Sequence, residues 1–173
     1  IVAFVQSKPG WLKDYEFFTG ERSQKGGELI NLIATDYSLS PRLLLALVEY
    51  QTGALTQPSL PLDLEQTYPL GYKNASYKGL YRQLLWAANL LNHGFYSWRQ
   101  GRLPQWDLLD GRLERPDPWQ NAASIALQYY FSRILQPADY QSAISDLGLG
   151  KTYRTLFGDP LIAEPHIPGS LAQ

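Results

Sequence analysis

A single carboxylate follows the most apolar stretch of the chain. Residues 43–48 read Leu-Leu-Leu-Ala-Leu-Val, and Glu49 comes next. Ser40 is a favourable N-cap, Pro41 suits the first helical position and Gly53 suits the stop, so a helix is predicted between the serine and the glycine. Because apolar residues cover every face of this helix, we expect it to be central and buried.

The position of Glu49 suits proton transfer. The C-terminal end of a helix is its negative pole and burial disfavours a charge, so both effects favour the protonated form of this carboxyl. A carboxyl that holds its proton is what a general acid for glycosidic-bond cleavage needs. Glu49 is therefore the candidate catalytic residue. The alternative is a solvent-facing Glu49, or one paired with Arg42 or Arg82.

The same segment resembles the catalytic helix of soluble lytic transglycosylases and related lysozyme-like enzymes. In that family an apolar helix begins near a proline and is followed by Glu-Ser and a loop. Aligned without gaps from Pro41, the family's glutamate falls on Gln51 and its serine on Thr52. Glutamine cannot act as an acid, and Glu49 lies about 200° away around a helix. The resemblance implies a lysozyme-like fold, with Gln51 and Thr52 positioning a substrate.

The rest of the chain alternates helical patterns with loops broken by proline and glycine. Asp117 is predicted to cap a helix with Gln120 at its N3 position. Two long irregular loops, 54–78 and 99–117, interrupt the pattern, and Asp110-Gly111 suits a small hairpin in the second. Besides the central helix, helices are predicted at about 1–7, 27–37, 80–97, 118–134, 137–148 and 151–157, with a further turn at about 11–17.

These patterns predict an all-α (mostly α), compact fold, since no convincing strand run is present. Residues 1–158 form the helical domain in this interpretation. Residues 159–173 are a proline-rich tail that leads toward something downstream. Because the chain does not begin with Met, we also expect it to come from inside a longer gene product.

Composition excludes several classes of function. The net charge of −1 leaves no basic field for nucleic acid. The longest apolar run is too short to span a bilayer. With no Cys and two His, a thiolate or multi-histidine metal site is excluded. We therefore expect no nucleic-acid partner, no membrane span, no metal and no cofactor.

Aromatic residues are abundant, at 13% of the chain. Tyr and Trp in such number suit a surface that stacks on sugar rings, and the alternative is that they pack the two loops onto the helices. The aromatic residues expected along a groove, as substrate-binding residues, are Tyr68, Tyr72, Tyr81, Trp98 and Trp106.

Nearly the whole chain is also similar to a domain of bacterial, notably Chloroflexi-type, cell-wall proteins. The matching stretches are Ser40 to Gly53, Tyr68 to Tyr72, Leu80 to Trp98, Asn121 to Ser132 and Thr152 to Pro160. In those proteins the domain often precedes a lysostaphin-like zinc endopeptidase. The similarity implies export, contact with peptidoglycan and a downstream peptidase partner, and it assigns no catalytic residue.

Three hypotheses follow. The first is a glycan-binding module of the cell wall, exported and possessing no chemistry of its own, which targets a downstream peptidase. The second is an active peptidoglycan hydrolase or lytic transglycosylase with Glu49 as general acid. The third is a structural role in a surface assembly. Gln51 at the position of the family's acid favours binding, whereas the helix-end setting of Glu49 favours catalysis.

Overall fold

A computed structural model describes residues 1–18, 20 and 22–159. Over these residues the protein is a compact, mostly α-helical domain, as the sequence predicted. The predicted tail, apart from Asp159, lies outside the described residues. The helices are α1 (Val2–Gln6), α2 (Gly26–Asp36), α3 (Pro41–Thr52), α4 (Leu80–Arg99), α5 (Ala122–Ser132), α6 (Pro137–Ile144) and α7 (Leu149–Phe157), with 3₁₀ turns at Trp11–Lys13, Leu64–Gln66 and Ala75–Tyr77.

Helix α3 runs through the core as predicted. The Ser40 hydroxyl accepts a hydrogen bond from the backbone N–H of Leu43, Pro41 occupies the first turn, and Gly53 ends the helix in the left-handed conformation with φ 64°. Residues 44–48 are buried on all sides. The single hydrophobic core that the described residues share surrounds this helix. The buried helix therefore fixes the positions of the segments at both of its ends.

Two short antiparallel hairpins complete the part of the fold that the structure describes. Strands β1 (Glu16–Phe18) and β2 (Ser23–Lys25) pair with Phe17 opposite Gln24. Strands β3 (Trp106–Asp107) and β4 (Leu113–Glu114) pair with Trp106 opposite Glu114. The second hairpin is the one that the Asp-Gly pair predicted, with Gly111 at φ 82° in the turn.

Helices α4 and α5 pack closely because a glycine lies between them. A Cβ added at Gly94 of α4 would come within 3.0 Å of the Cα of Ala126 on α5. Buried residues of α4, such as Leu91, and of α5, such as Tyr130, extend the core on both sides of this crossing. The close approach fixes α5, which carries one wall of the groove described below.

The last helix is tied to the first. The Phe157 ring lies 5.0 Å from that of Phe4 and 5.3 Å from that of Tyr153. The Arg42 guanidinium, at the start of α3, stands 5.6 Å from the centre of the Phe157 ring. These contacts hold α7 against both α1 and α3.

Three details of the sequence prediction need correction. Asp117 does not cap α5; it accepts a hydrogen bond from the Trp119 N–H in a separate turn. The cap is Asn121, whose side chain accepts from the Ser124 N–H, because the turn uses up the residues before it. The stretch predicted as a turn at 11–17 is helical only at Trp11–Lys13 before β1 begins, so the chain also contains short strands that the pattern did not reveal.

None of the described helices has the length and apolarity that a bilayer crossing requires.

Candidate functional site

Both carboxylate oxygens of Glu49 are engaged by the loop that follows α3. Oε2 accepts a hydrogen bond of 2.6 Å from the Leu55 N–H, and Oε1 accepts one of 2.7 Å from the Thr56 hydroxyl. Oxygen atoms held in this way fix the exit of the chain from the helix. Thr52 also bonds within its own helix, donating from its hydroxyl to the Val48 carbonyl at 2.6 Å. The predicted acid and one of its predicted neighbours thus support local structure.

Gln51 belongs to a buried polar network. Its Nε2 donates to the Leu70 carbonyl at 3.1 Å, and its Oε1 accepts from the Tyr130 hydroxyl at 2.7 Å. Tyr130 is fully buried, and this burial raises the pKa of its hydroxyl well above the ordinary value of 10.0. Gln51 therefore joins α3, α5 and the 54–78 loop.

Gln83 holds the same loop from α4. Its Oε1 accepts from the backbone N–H groups of Leu70 and Tyr72, both at 3.2 Å. Its Nε2 donates to the carbonyls of Tyr72 at 2.9 Å and Tyr77 at 2.7 Å. All four hydrogen-bonding positions of this buried amide are used, so a loop without regular structure has a defined conformation. The sequence reasoning did not single out Gln83, although a glutamine inside an apolar helical stripe is a signal.

The predicted groove aromatics have different surroundings. Tyr72 stacks on Trp86 with ring centres 4.2 Å apart, and Tyr81 stacks on Phe17 at 4.5 Å. Tyr68 is half-buried in the 54–78 loop. Tyr72 therefore lies beside the network that contains Gln51, whereas Tyr81 packs on the first hairpin.

The two predicted tryptophans lie near the C-terminal end of α4 and in β3. Trp106 is buried, and its ring meets that of Tyr129 edge-on at 5.6 Å. Trp98 is half-buried, and its Nε1 donates to the Gln120 carbonyl at 3.1 Å. Of the predicted site residues, Trp98 is the one that lines either of the two depressions described next.

A groove of about 500 Å³ opens between α5 and the α6–α7 pair, near the start of α3. We call it the α5–α7 groove. Its floor is apolar, from Leu43, Leu127, Phe131, Ala143, Ile144, Leu149, Gly150 and Tyr153, and its polar lining consists of Gln120, Ser124, Gln128, Ser145, Asp146 and Arg154. An apolar floor with a few polar groups is typical of ligand sites.

One helical stripe of α5 supplies the wall of this groove. Ser124, Leu127, Gln128 and Phe131 recur at the spacing that places residues on one face of a helix. The two glutamines at this wall are coupled, since Gln128 Nε2 donates to Gln120 Oε1 at 2.7 Å. The wall therefore presents fixed amides, each with hydrogen-bonding capacity left for a ligand.

Charge in the groove is sparse. Arg154 Nη2 donates to the Asp146 backbone carbonyl at 2.8 Å, which holds the guanidinium at the groove. Asp146 is the single carboxylate among those described residues that line it. Hydrolysis by most glycosidase mechanisms needs two carboxylates that flank the bond, so the lining suits binding more than cleavage.

An exposed tryptophan directly precedes a groove residue in the sequence. Trp119 is 93% exposed and directly precedes the groove residue Gln120. A second, open depression lies beyond Asn121; we call it the Trp98 hollow. It is lined by Phe95, Trp98, Arg99, Asn121, Ala122 and Ala123.

The sequence reasoning missed the α5–α7 groove because its polar residues form no motif of acid, base or nucleophile. A signal was nevertheless present. Amides and a serine occupy one face of the α5 pattern, where a fully packed helix would carry apolar residues.

One family model matches the chain, over residues 1–169, and its description is LasA, N-terminal domain. No curated protein and no solved structure matches. The description as an N-terminal domain agrees with the predicted arrangement in which such a domain precedes another. The lysozyme-like arrangement of helices stays a prediction.

Proposed function

Because the chain belongs to the LasA N-terminal domain family, we propose that it is a cell-wall glycan-binding module that accompanies a LasA-type peptidase. The module is exported with its partner, and it concentrates the peptidase on peptidoglycan. The binding site in this proposal is the α5–α7 groove.

The composition of the groove supports this proposal. Its apolar floor suits the flat faces and acetamido methyl groups of amino sugars, and the coupled amides of Gln120 and Gln128 match hydroxyl and amide groups. The exposed indole of Trp119, one residue before Gln120 in the chain, offers a stacking face. The observation that carries the proposal is the combination of an apolar floor and coupled amides in one open groove.

Binding is better supported than catalysis. The loop already engages both oxygens of Glu49, and neither of the two depressions is lined by Glu49, Gln51 or Thr52. A general acid needs its proton within reach of the leaving-group oxygen. Hydrogen bonds of 2.6 and 2.7 Å from the loop instead support a structural role for this side chain.

The test is co-sedimentation of the 173-residue chain with purified peptidoglycan sacculi, comparing two tryptophan insertions. Gly150→Trp places a large ring in the groove, and the position accepts a side chain because an added Cβ meets only the flexible Arg154 Nη1, at 3.4 Å. Ala138→Trp is the matched control on the exposed surface of α6, outside both depressions.

We expect Gly150→Trp to weaken binding at least about tenfold and Ala138→Trp to change it less than about twofold. Unfolding temperatures measured alongside establish that both variants are folded. Failure of the unmodified chain to sediment with sacculi, or equal binding by the two variants, would overturn the proposal.

A parallel assay of muropeptide release tests the enzyme hypothesis. We expect no release by the chain or by its Glu49→Gln variant. Release by the chain that Glu49→Gln abolishes would establish Glu49 as the acid and replace the binding proposal. Release only by Gln51→Glu would identify a degenerate enzyme that retains the ancestral site.

A further inference from the structure

Hydrogen bonds hold the backbone around the exposed Trp119 in one conformation. Its N–H donates to Asp117 Oδ1 at 2.9 Å, and the following Gln120 N–H donates to the Asp117 carbonyl at 3.0 Å. The Gln120 carbonyl in turn accepts from Trp98 Nε1 at 3.1 Å, and Asn121 caps α5. A 93% exposed indole on so constrained a segment contributes little to the core, and large exposed apolar groups mark interaction sites.

The same segment separates the two depressions. Gln120 lines the α5–α7 groove, and the next residue, Asn121, lines the Trp98 hollow. The first turn of α5 therefore has one depression on each side, with Trp119 immediately before it in the chain. Both depressions combine aromatic or aliphatic floors with side-chain amides.

The hollow offers a second surface of the same kind. Trp98 is half-buried with its Nε1 already bonded, so the remaining exposed part of the indole is apolar. The Arg99 guanidinium lies 5.8 Å from the centre of the Phe95 ring, and Ala122 and Ala123 leave space above the floor. Among the described residues that line the two depressions, the charged ones are Arg99, Arg154 and Asp146. Their formal charges sum to +1, so this lining suits a ligand with few charges.

We propose that the α5–α7 groove, Trp119 and the Trp98 hollow form one continuous track for an extended, uncharged β-linked amino-sugar chain, with Trp119 as the stacking platform between two sub-sites. The inference rests on the proposed glycan binding and sharpens it. The ligand is a polymer that crosses the start of α5, not a single sugar or disaccharide held in the groove.

Affinity as a function of chain length tests the track. The probes are β-1,4-linked N-acetylglucosamine oligomers of two, four and six sugars, titrated into the 173-residue chain by calorimetry. We expect the affinity to rise at least about tenfold from dimer to hexamer, because the longer ligand occupies both sub-sites.

Two variants locate the added affinity. Trp119→Ala removes the platform, and Ala123→Trp fills the hollow from an exposed position. Each should lower the hexamer affinity at least about tenfold. Ala123→Trp should change the dimer affinity less than about twofold, and Trp119→Ala should weaken dimer binding less than hexamer binding. The matched controls are Leu62→Ala, at a residue that is 91% exposed, and Ala138→Trp, neither of which should change either affinity.

The outcomes separate the two proposals. Equal affinities for dimer and hexamer, or equal losses for both ligands in Trp119→Ala, would overturn the continuous track and leave groove binding intact. No binding of any oligomer by the unmodified chain would overturn the track. Failure to sediment with sacculi would overturn glycan binding itself, and the track with it.

Discussion

The two ends of the central helix use polar side chains in opposite ways. At the C-terminal end of α3, Glu49 and Gln51 direct hydrogen bonds to the loop that follows the helix, and Gln83 of α4 does the same. Near its N-terminal end, the groove amides of Gln120 and Gln128 bond to each other and face open space. The first region is a structural network, and the second has unused capacity for a ligand.

This difference shows that a residue type able to take part in catalysis or binding indicates function only when its hydrogen-bond partners are known. Glu49 and Gln51, the residues that the sequence singled out for chemistry, lie where a long loop without regular structure is anchored to the helices. Such a loop needs many polar anchors, because its backbone groups are not satisfied by a helix or a sheet. The less conspicuous amides of Gln120 and Gln128 bond to each other and keep further hydrogen-bonding capacity for recognition.

The comparison is tested most strongly by replacing one buried amide. Gln83→Leu removes four hydrogen bonds, those to the N–H groups of Leu70 and Tyr72 and to the carbonyls of Tyr72 and Tyr77. The Tyr72 carbonyl keeps its bond from the Asn74 N–H, and we expect the variant to lower the free energy of unfolding by at least about 3 kcal/mol. Urea denaturation followed by circular dichroism measures this change.

Gln128→Leu is the matched control, since it makes the same substitution at the groove. It should cost less than about 1 kcal/mol, because its partner Gln120 stays accessible to water. Similar losses in the two variants would remove the distinction between a structural and a binding region.

A second prediction concerns Glu49. Glu49→Gln keeps the shape of the side chain but replaces one of the two charge-assisted acceptors by a donor, so we expect a loss of about 2 kcal/mol of stability. Glycan binding at the groove should be unchanged. Unchanged stability together with lost binding would indicate that Glu49 contacts the ligand and would contradict the structural role.

A third prediction uses pH. Burial raises the folded-state pKa of Tyr130 above the ordinary value of 10.0, so its contribution to stability is complete below about pH 10 and is lost as the pH rises further, when the unfolded chain ionises first. Tyr130→Phe should cost about 1 kcal/mol at pH 7, through the lost bond to Gln51. Above pH 10 the same variant should reduce the decline of stability by up to about 1.4 kcal/mol per pH unit. Denaturant midpoints from pH 7 to 11 measure both effects, and an unchanged alkaline slope would contradict the prediction.

The smallest expected effect on stability is that of Trp119→Ala. The side chain is 93% exposed, so the free energy of unfolding should change by less than about 0.5 kcal/mol. Trp11→Ala, at a fully buried tryptophan, should cost about 3–5 kcal/mol in the same thermal or urea experiment. A large cost at Trp119 would indicate that the indole supports the fold, and would weaken its role as a binding platform.

The sequence predicted the elements whose signals are local. Ser40, Pro41 and Gly53 bound α3 because caps and stops act within a few residues. The Asp110-Gly111 pair likewise identified the hairpin turn. The start of α5 was misplaced because Asp117 and Asn121 are both good caps, and the turn around Trp119 decided between them.

The arrangement of the candidate site was less accessible. Whether Gln51 faces a cleft or a buried tyrosine depends on Tyr130, which lies 79 residues away in the chain. The α5–α7 groove is formed by segments as distant as Leu43 and Arg154, and no spacing rule connects them. Periodicity predicts which face of a helix is polar, but not whether a neighbouring element covers that face.

The missing side chain of Gly94 has a consequence at a distance. The face of α5 that meets Gly94 at Ala126 is opposite the face that carries Ser124 and Gln128. A methyl group at position 94 would press against Ala126 and displace α5 away from α4. The displaced α5 would narrow the α5–α7 groove on its opposite face. The width of the α5–α7 groove therefore depends on Gly94, a buried residue behind α5 that does not line the groove.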